Sequence, residues 1–136
     1  MSNGNTEILR QAYKRWHDSK GGTVDHWISI MAEDVDFRSL ADGSTGLEFT
    51  ENRISKHEVK NYFEGLLATF KMIHYTVDQF VTEGDTVVAI GSTSWQNIQT
   101  GKSFNSPKVD VIKFQDGKIT AFFEYYDTAT IQECTC

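Results

Sequence analysis

Proline occurs once in the 136 residues, at Pro107, and cysteine twice, at Cys134 and Cys136 in the last three positions. That count excludes a disulfide scaffold, and C-T-C at a terminus reads as two free thiols without further metal ligands nearby. The four histidines, His17, His26, His57 and His74, show no HxH or HExxH spacing, so no metal site is expected. No apolar run approaches the ~20 residues of a membrane span. The stretch MSNGNTEILRQAYKRW lacks the uninterrupted apolar segment of a signal peptide. These absences predict a cytoplasmic protein with no membrane partner. The basic residues are scattered, with Lys14-Arg15 the longest cluster, and the net charge is −6. No stripe can track a phosphate backbone, and no nucleic-acid partner is expected. A phosphate-binding loop, a G-x-S-x-G elbow and a cysteine nucleophile are also missing, which leaves no cofactor implied.

What the chain does have is aromatic residues, 12% against 24% charged, the composition of a folded globule. Its length predicts one domain over 1–136. Helical spacing of Ile8, Leu9, Ala12, Tyr13 and Trp16 predicts a helix over 6–18 with Thr6 as its N-cap. A short helix is expected at 24–33, then alternation over 35–40 and turn chemistry in ADGSTG, 41–46. Ser55 and Glu58 form a capping-box signature at the head of a third helix, 55–70. From residue 73 the period becomes two, predicting strands at 73–82, 86–97, 104–114 and 118–126. Helices followed by an antiparallel meander argue an α+β fold, with helices packed on one face of a curved sheet.

The segment FFEYYD, 122–127, sets a carboxylate among four aromatics. Whether Glu124 shares a face with Asp110 depends on the hairpin at QDG, 115–117. A two-residue loop pairs Asp110 with Phe123 and separates the acids. A three-residue loop pairs Asp110 with Phe122 and sets Asp110, Ile112, Phe122, Glu124 and Tyr126 on one face. Either way the opposite face carries Phe123 and Tyr125 with valines beside them. A sheet apolar on both sides needs two covers, and the helices supply one, so a homodimer through the outer sheet face is expected.

The order of elements, with AEDV (32–35), TGKSFN (100–105) and DGKITAFFEYYD (116–127), resembles the ketosteroid isomerase-like, SnoaL-like group of the nuclear transport factor 2-like superfamily. The resemblance implies a cone, a cystatin-like roll whose sheet wraps a long helix around an apolar cavity. It carries the oxyanion-donating tyrosine of ketosteroid isomerases to Tyr13 and their oxyanion-side acid to Asp110. Their proton-shuttling aspartate falls at Ser39, which cannot take a proton from carbon unaided. The C-terminal motifs are similar to limonene-epoxide hydrolases, whose last-strand carboxylate matches Glu124. Their arginine and aspartate fall at Gly91 and Thr93, and their tyrosine and asparagine at Phe37 and Ser39, so that site is incomplete here. The late acid of SnoaL-type cyclases falls at Phe122.

Glu124, Asp110 and Tyr13 are therefore the candidate catalytic residues. Glu124 would act as general acid or base, with Asp110 and Tyr13 stabilising charge on an oxygen. The structural alternative is that Glu124 pairs with a neighbour such as Lys108. Trp16, Trp27, Phe37, Ser39, Tyr62, Thr93, Trp95, Ile112, Phe122 and Tyr126 are the candidate ligand-binding residues, an aromatic wall suited to an apolar or ring-containing small molecule. The expected function is binding of such a ligand with cofactor-free acid–base chemistry of isomerase, cyclase or hydrolase type. The rival is a non-catalytic ligand-binding or dimerisation module of the same fold. An open cavity of about 300 Å³ or more with both acids exposed to it favours the first, and a closed, filled cone the second.

Overall fold

A computed structural model describes residues 2–44 and 47–135. Helix α1 (Ser2–Asp18) and helix α2 (Val24–Ser29) lead into strand β1 (Met31–Ser39). A 3₁₀ turn (Glu48–Thr50) and helix α3 (Lys56–Thr69) follow, then β2 (Phe70–Glu83), β3 (Thr86–Asn97), β4 (Ser103–Gln115), β5 (Lys118–Tyr126) and helix α4 (Thr128–Thr135). The five strands form one sheet in the order β1-β5-β4-β3-β2. This is the expected α+β architecture, except that the sheet is mixed: β1 pairs with β5 in parallel. The expected helix over 24–33 stops at Ser29, and Met31 already pairs with Ile119. The polar AEDV stretch masks the strand because only Met31, Val35, Phe37 and Ser39 of β1 are buried. Thr45, Gly46 and Cys136 lie outside the described residues, and with them part of the ADGSTG turn and one of the two thiols.

Leu9, Ala12, Tyr13 and Trp16 recur at helical spacing and form the buried stripe of α1. The helix begins at Ser2, so Thr6 lies inside it rather than at its cap, and its hydroxyl meets Thr82 Oγ1 at 3.1 Å. The cap of α3 is as expected: Ser55 Oγ accepts from Glu58 N–H at 3.2 Å. The Ser55 hydroxyl in turn donates to the Glu58 carboxylate at 3.2 Å. Asp127 caps α4, accepting from Thr130 N–H at 3.1 Å.

Two backbone features shape the sheet around the core. At Gly91 an added Cβ would stand 1.9 Å from Thr76 O, so no side chain fits where β2 presses on β3. Opposite, β2 is irregular at Ile73 and again at Asp78. The first irregularity turns Ile73 outward, 45% exposed, and lets both Met72 and Tyr75 face the core.

The β4–β5 hairpin follows neither expected register. Asp116 and Gly117 both have positive φ, 52° and 78°, and form a two-residue loop between Gln115 and Lys118. The pairing then shifts at Thr120, so Asp110 stands directly opposite Glu124. A two-residue loop alone would have put the acids on opposite faces. The extra residue restores the parity, so Asp110, Ile112, Phe122 and Glu124 are buried on one side while Tyr125 on the other is exposed.

Candidate functional site

The inner face of the sheet carries a polar row through an aromatic core. Ala89, Asp110, Glu124 and Ser39 are successive neighbours across β3, β4, β5 and β1, and Gly91, Lys108 and Tyr126 form the next row. Strand alternation delivers this arrangement, because every second residue of β4 from Phe104 to Phe114 is buried. Lys108, Asp110 and Glu124 are 6%, 1% and 6% exposed. Charges so deeply buried need partners.

Those partners are present. Lys108 Nζ donates to Asp110 Oδ1 at 2.5 Å and to Tyr75 Oη at 2.7 Å. It also lies 3.1 Å from Glu124 Oε1. Tyr13 and Tyr75 both donate to Asp110 Oδ2, at 2.6 and 2.7 Å. Tyr62 donates to Glu124 Oε2 at 2.5 Å. Beside them Ser39 Oγ and Tyr126 Oη are 2.5 Å apart, and Ala41 N–H donates to Tyr126 Oη at 3.2 Å.

Burial pushes the Tyr13, Tyr62 and Tyr75 phenols well above their ordinary range, reinforced by Asp110 for Tyr13 and Tyr75 and by Glu124 for Tyr62. Tyr126 is pushed up to about 12, by burial first and Glu124 second. Burial opposes the charge on Lys108, but Asp110 and Glu124 together outweigh it and hold the ammonium above its ordinary value. All four tyrosines therefore remain neutral donors, and Lys108 remains a cation.

An apolar cavity of about 70 Å³ opens onto this network, smaller than the open cavity of about 300 Å³ expected of a ligand site. Of the residues expected from sequence, Tyr13, Glu124, Trp16, Trp27, Phe37, Tyr62, Thr93, Trp95, Phe122 and Tyr126 line the cavity. Asp110 and Ser39 are not on its wall. Asp110 is screened by Tyr13, Tyr75 and Lys108, and Ser39 stands behind Tyr126. Ile112 is fully buried in the core. Thr93 spends its hydroxyl proton on His74 O and accepts from Trp95 Nε1. Trp27 Nε1 is buried without a partner.

Two members of the site were not expected as such. Tyr75 was hidden by the irregularity at Ile73, which breaks the alternation of β2. Lys108 was legible as a partner of Glu124, but it binds both acids. His17, expected on a helix surface, accepts from Tyr75 N–H at 3.1 Å and holds that irregular segment of β2 against α1. Among the described residues no group of three or more His, Cys, Asp or Glu side chains is placed to hold a metal ion. None of the described helices is long and apolar enough to cross a membrane.

A helix-wrapped cone with a charged network on one wall of an aromatic cavity defines the class, a nuclear transport factor 2-like, ketosteroid isomerase-like fold. The chain belongs to the SnoaL-like domain family, whose profile matches residues 9–122. No curated protein matches it. Its structure is similar to an NTF2-like protein of unknown function from Burkholderia pseudomallei, with TM-score 0.83, 19% identity and 97% of each chain covered. It is also similar to TerC co-crystallised with polyporic acid, with TM-score 0.81, 18% identity, and 97% of this chain and 98% of that one covered. A third is a protein of ketosteroid isomerase-like fold from Catenulispora acidiphila in complex with trimethylamine, with TM-score 0.75, 15% identity, and coverage of 95% and 92%. At these identities the likeness is one of fold.

Proposed function

We propose that the cavity binds a small apolar, ring-containing molecule and that Glu124 performs cofactor-free acid–base chemistry on it. The observation that carries this reading is Glu124 itself, a carboxylate on the wall of an otherwise aromatic cavity, with Tyr62 and Lys108 each engaging one of its oxygens. A carboxylate oxygen has two lone pairs, so each retains capacity to accept a proton from a ligand. Tyr62 and Lys108 orient the carboxylate, and Asp110 keeps Lys108 charged beside it. The roles expected of Asp110 and Tyr13 shift accordingly. Their hydrogen bond is to each other, so they act in this reading by positioning Lys108 rather than by meeting an oxyanion directly. Two proteins of the same fold were crystallised with small organic molecules, polyporic acid and trimethylamine, in keeping with a ligand cavity.

The same proposal includes a homodimer through the outer sheet face in a cytoplasmic protein. Val88, Val111 and Phe123 align across β3, β4 and β5, as do Ile90, Val109 and Tyr125. Phe123 and Tyr125 stack at 4.4 Å between ring centroids. Six apolar side chains in two rows form a patch that a second copy would cover.

A thermal-shift screen with terpenoid, steroid and polyketide-like ring compounds tests the reading, because a ligand of the native state raises the melting temperature. The expected result is stabilisation by a ring compound and loss of its turnover in Glu124→Gln. Unchanged turnover in that variant would refute the catalytic role of Glu124, and binding without turnover in the wild type would leave the non-catalytic binding module.

A further inference from the structure

A second opening, a cleft of about 240 Å³, lies between α1 and β2, outside the cavity described above. Its helix side is one face of α1, where Arg10, Tyr13, Lys14, His17 and Asp18 recur at i, i+3, i+4, i+7 and i+8. The irregularity at Asp78 in β2 supplies its floor. Val77 pairs with Gly91 and Phe80 with Ala89, so both side chains turn toward the helix although three residues apart. Tyr13 and Tyr75 form the partition between the cleft and the inner cavity. They line both spaces, their rings stack at 5.7 Å, and both hydroxyls donate to Asp110.

The floor of this cleft is apolar and its rim donates. Arg10 lies with its guanidinium carbon 5.1 Å from the centroid of the Phe80 ring, which fixes a cation over the floor. Lys14 stands one turn further along the helix. The carboxylate partners of these two cations are Glu7 at 3.3 Å and Asp18 at 2.6 Å, in pairs more than half exposed. Exposed pairs of this kind hold their charges weakly, so a ligand anion can engage either cation. His17 adds a third donor. Its Nδ1 accepts from Tyr75 N–H at 3.1 Å, so the neutral ring carries its proton on Nε2. Among the described residues that N–H has no acceptor.

We propose that this cleft binds a small aryl carboxylate, with its ring on Val77 and Phe80 and its anion among Arg10, Lys14 and His17 Nε2–H. The site is separate from the inner cavity and does not depend on what that cavity binds. Three donors on one rim select an anion, and the fork of Arg10 matches the two oxygens of a carboxylate. Asp18 on the same rim and the net charge of −6 disfavour a multiply charged anion such as a phosphate ester. The apolar floor selects an aromatic body over a bare ion. The volume, just under the ~300 Å³ at which drug-sized sites begin, keeps that body to a single ring.

Titration with hydrocinnamate, followed by calorimetry and by the nitrogen NMR resonance of His17 Nε2, tests the site. The wild type should bind it saturably with movement of the His17 resonance, and Arg10→Gln/Lys14→Gln should bind it about tenfold more weakly. The neutral amide of the same acid should bind the wild type about tenfold more weakly than the acid does. Lys60→Gln/Lys113→Gln removes two exposed cations outside the cleft and should leave the affinity unchanged. No binding to the wild type at millimolar concentration would overturn the proposal, as would equal affinity in the Arg10 and Lys14 variant or an equal loss in the Lys60 and Lys113 variant. Should the Arg10 and Lys14 variant not fold, the wild-type His17 resonance still decides, because binding that leaves it unmoved would place the carboxylate elsewhere.

Discussion

Asp110 and Glu124 stand directly opposite each other on β4 and β5, two carboxylates in a cross-strand pair that would repel if left alone. Lys108 resolves the conflict by reaching both, at 2.5 Å and 3.1 Å. The three groups carry a net charge of −1 when both acids are ionised. Of the two acids, Glu124 alone reaches the cavity wall.

Removing the cation should be severe. Lys108→Met leaves two facing carboxylates buried without a counter-charge, and breaking such a pair costs about 3–5 kcal/mol. Urea denaturation near neutrality should show a loss of that size. Adding Asp110→Asn to the same chain should restore part of it, because the repulsion goes with the second charge.

The buried tyrosines predict an alkaline limit to stability. Tyr126 ionises at 10.0 when unfolded and at about 12 when folded, so above 10.0 the unfolded state loses its proton first and gains relative stability. Stability is fully present below 10.0 and falls as pH rises from there through about 12. Tyr126 alone accounts for up to about 2.7 kcal/mol over that interval. Tyr13, Tyr62 and Tyr75 act in the same direction. Raised in the fold, Lys108 likewise contributes stability that is complete below 10.5 and lost through its higher folded value. Phenolate absorbance from these four tyrosines should therefore appear together with unfolding, and gradual ionisation in the folded protein would contradict the burial argument.

Tyr62→Phe deletes the donor that orients Glu124. A hydrogen bond to a charged group is worth about 1.5–3 kcal/mol, and a loss in that range is expected on denaturation. If Tyr62 orients a working base, turnover falls in the same variant while ligand affinity changes little.

Much of this site was legible in the chain, and the gaps have local causes. Helical spacing placed Tyr13 on the buried stripe of α1, and alternation placed Asp110 and Glu124 on β4 and β5 without fixing whether they share a face. The hairpin register was not legible, because the shift at Thr120 follows a loop that would, by itself, separate the acids. Tyr75 was lost for a similar reason, at the irregularity where Ile73 turns outward. β1 was read partly as helix because its buried positions are separated by Glu33, Asp34 and Asp36. The sharing of Tyr126 between Ser39 and Ala41 depends on β1 lying parallel to β5, a long-range pairing no local pattern announces.

The outer face offers a test independent of the cavity. Phe123→Glu places a charge in the middle of the apolar rows without touching the inner wall. Sedimentation at micromolar concentration should show a dimer for the wild type and a monomer for the variant. A monomeric wild type would rule out the proposed association.

The central claim is that Glu124 performs acid–base chemistry on a small ring-containing molecule held in the cavity. Turnover of a ring compound that raises the melting temperature of the wild type, compared between the wild type and Glu124→Gln, measures it directly. The wild type should turn the compound over and Glu124→Gln should not; equal turnover by both proteins would contradict the account.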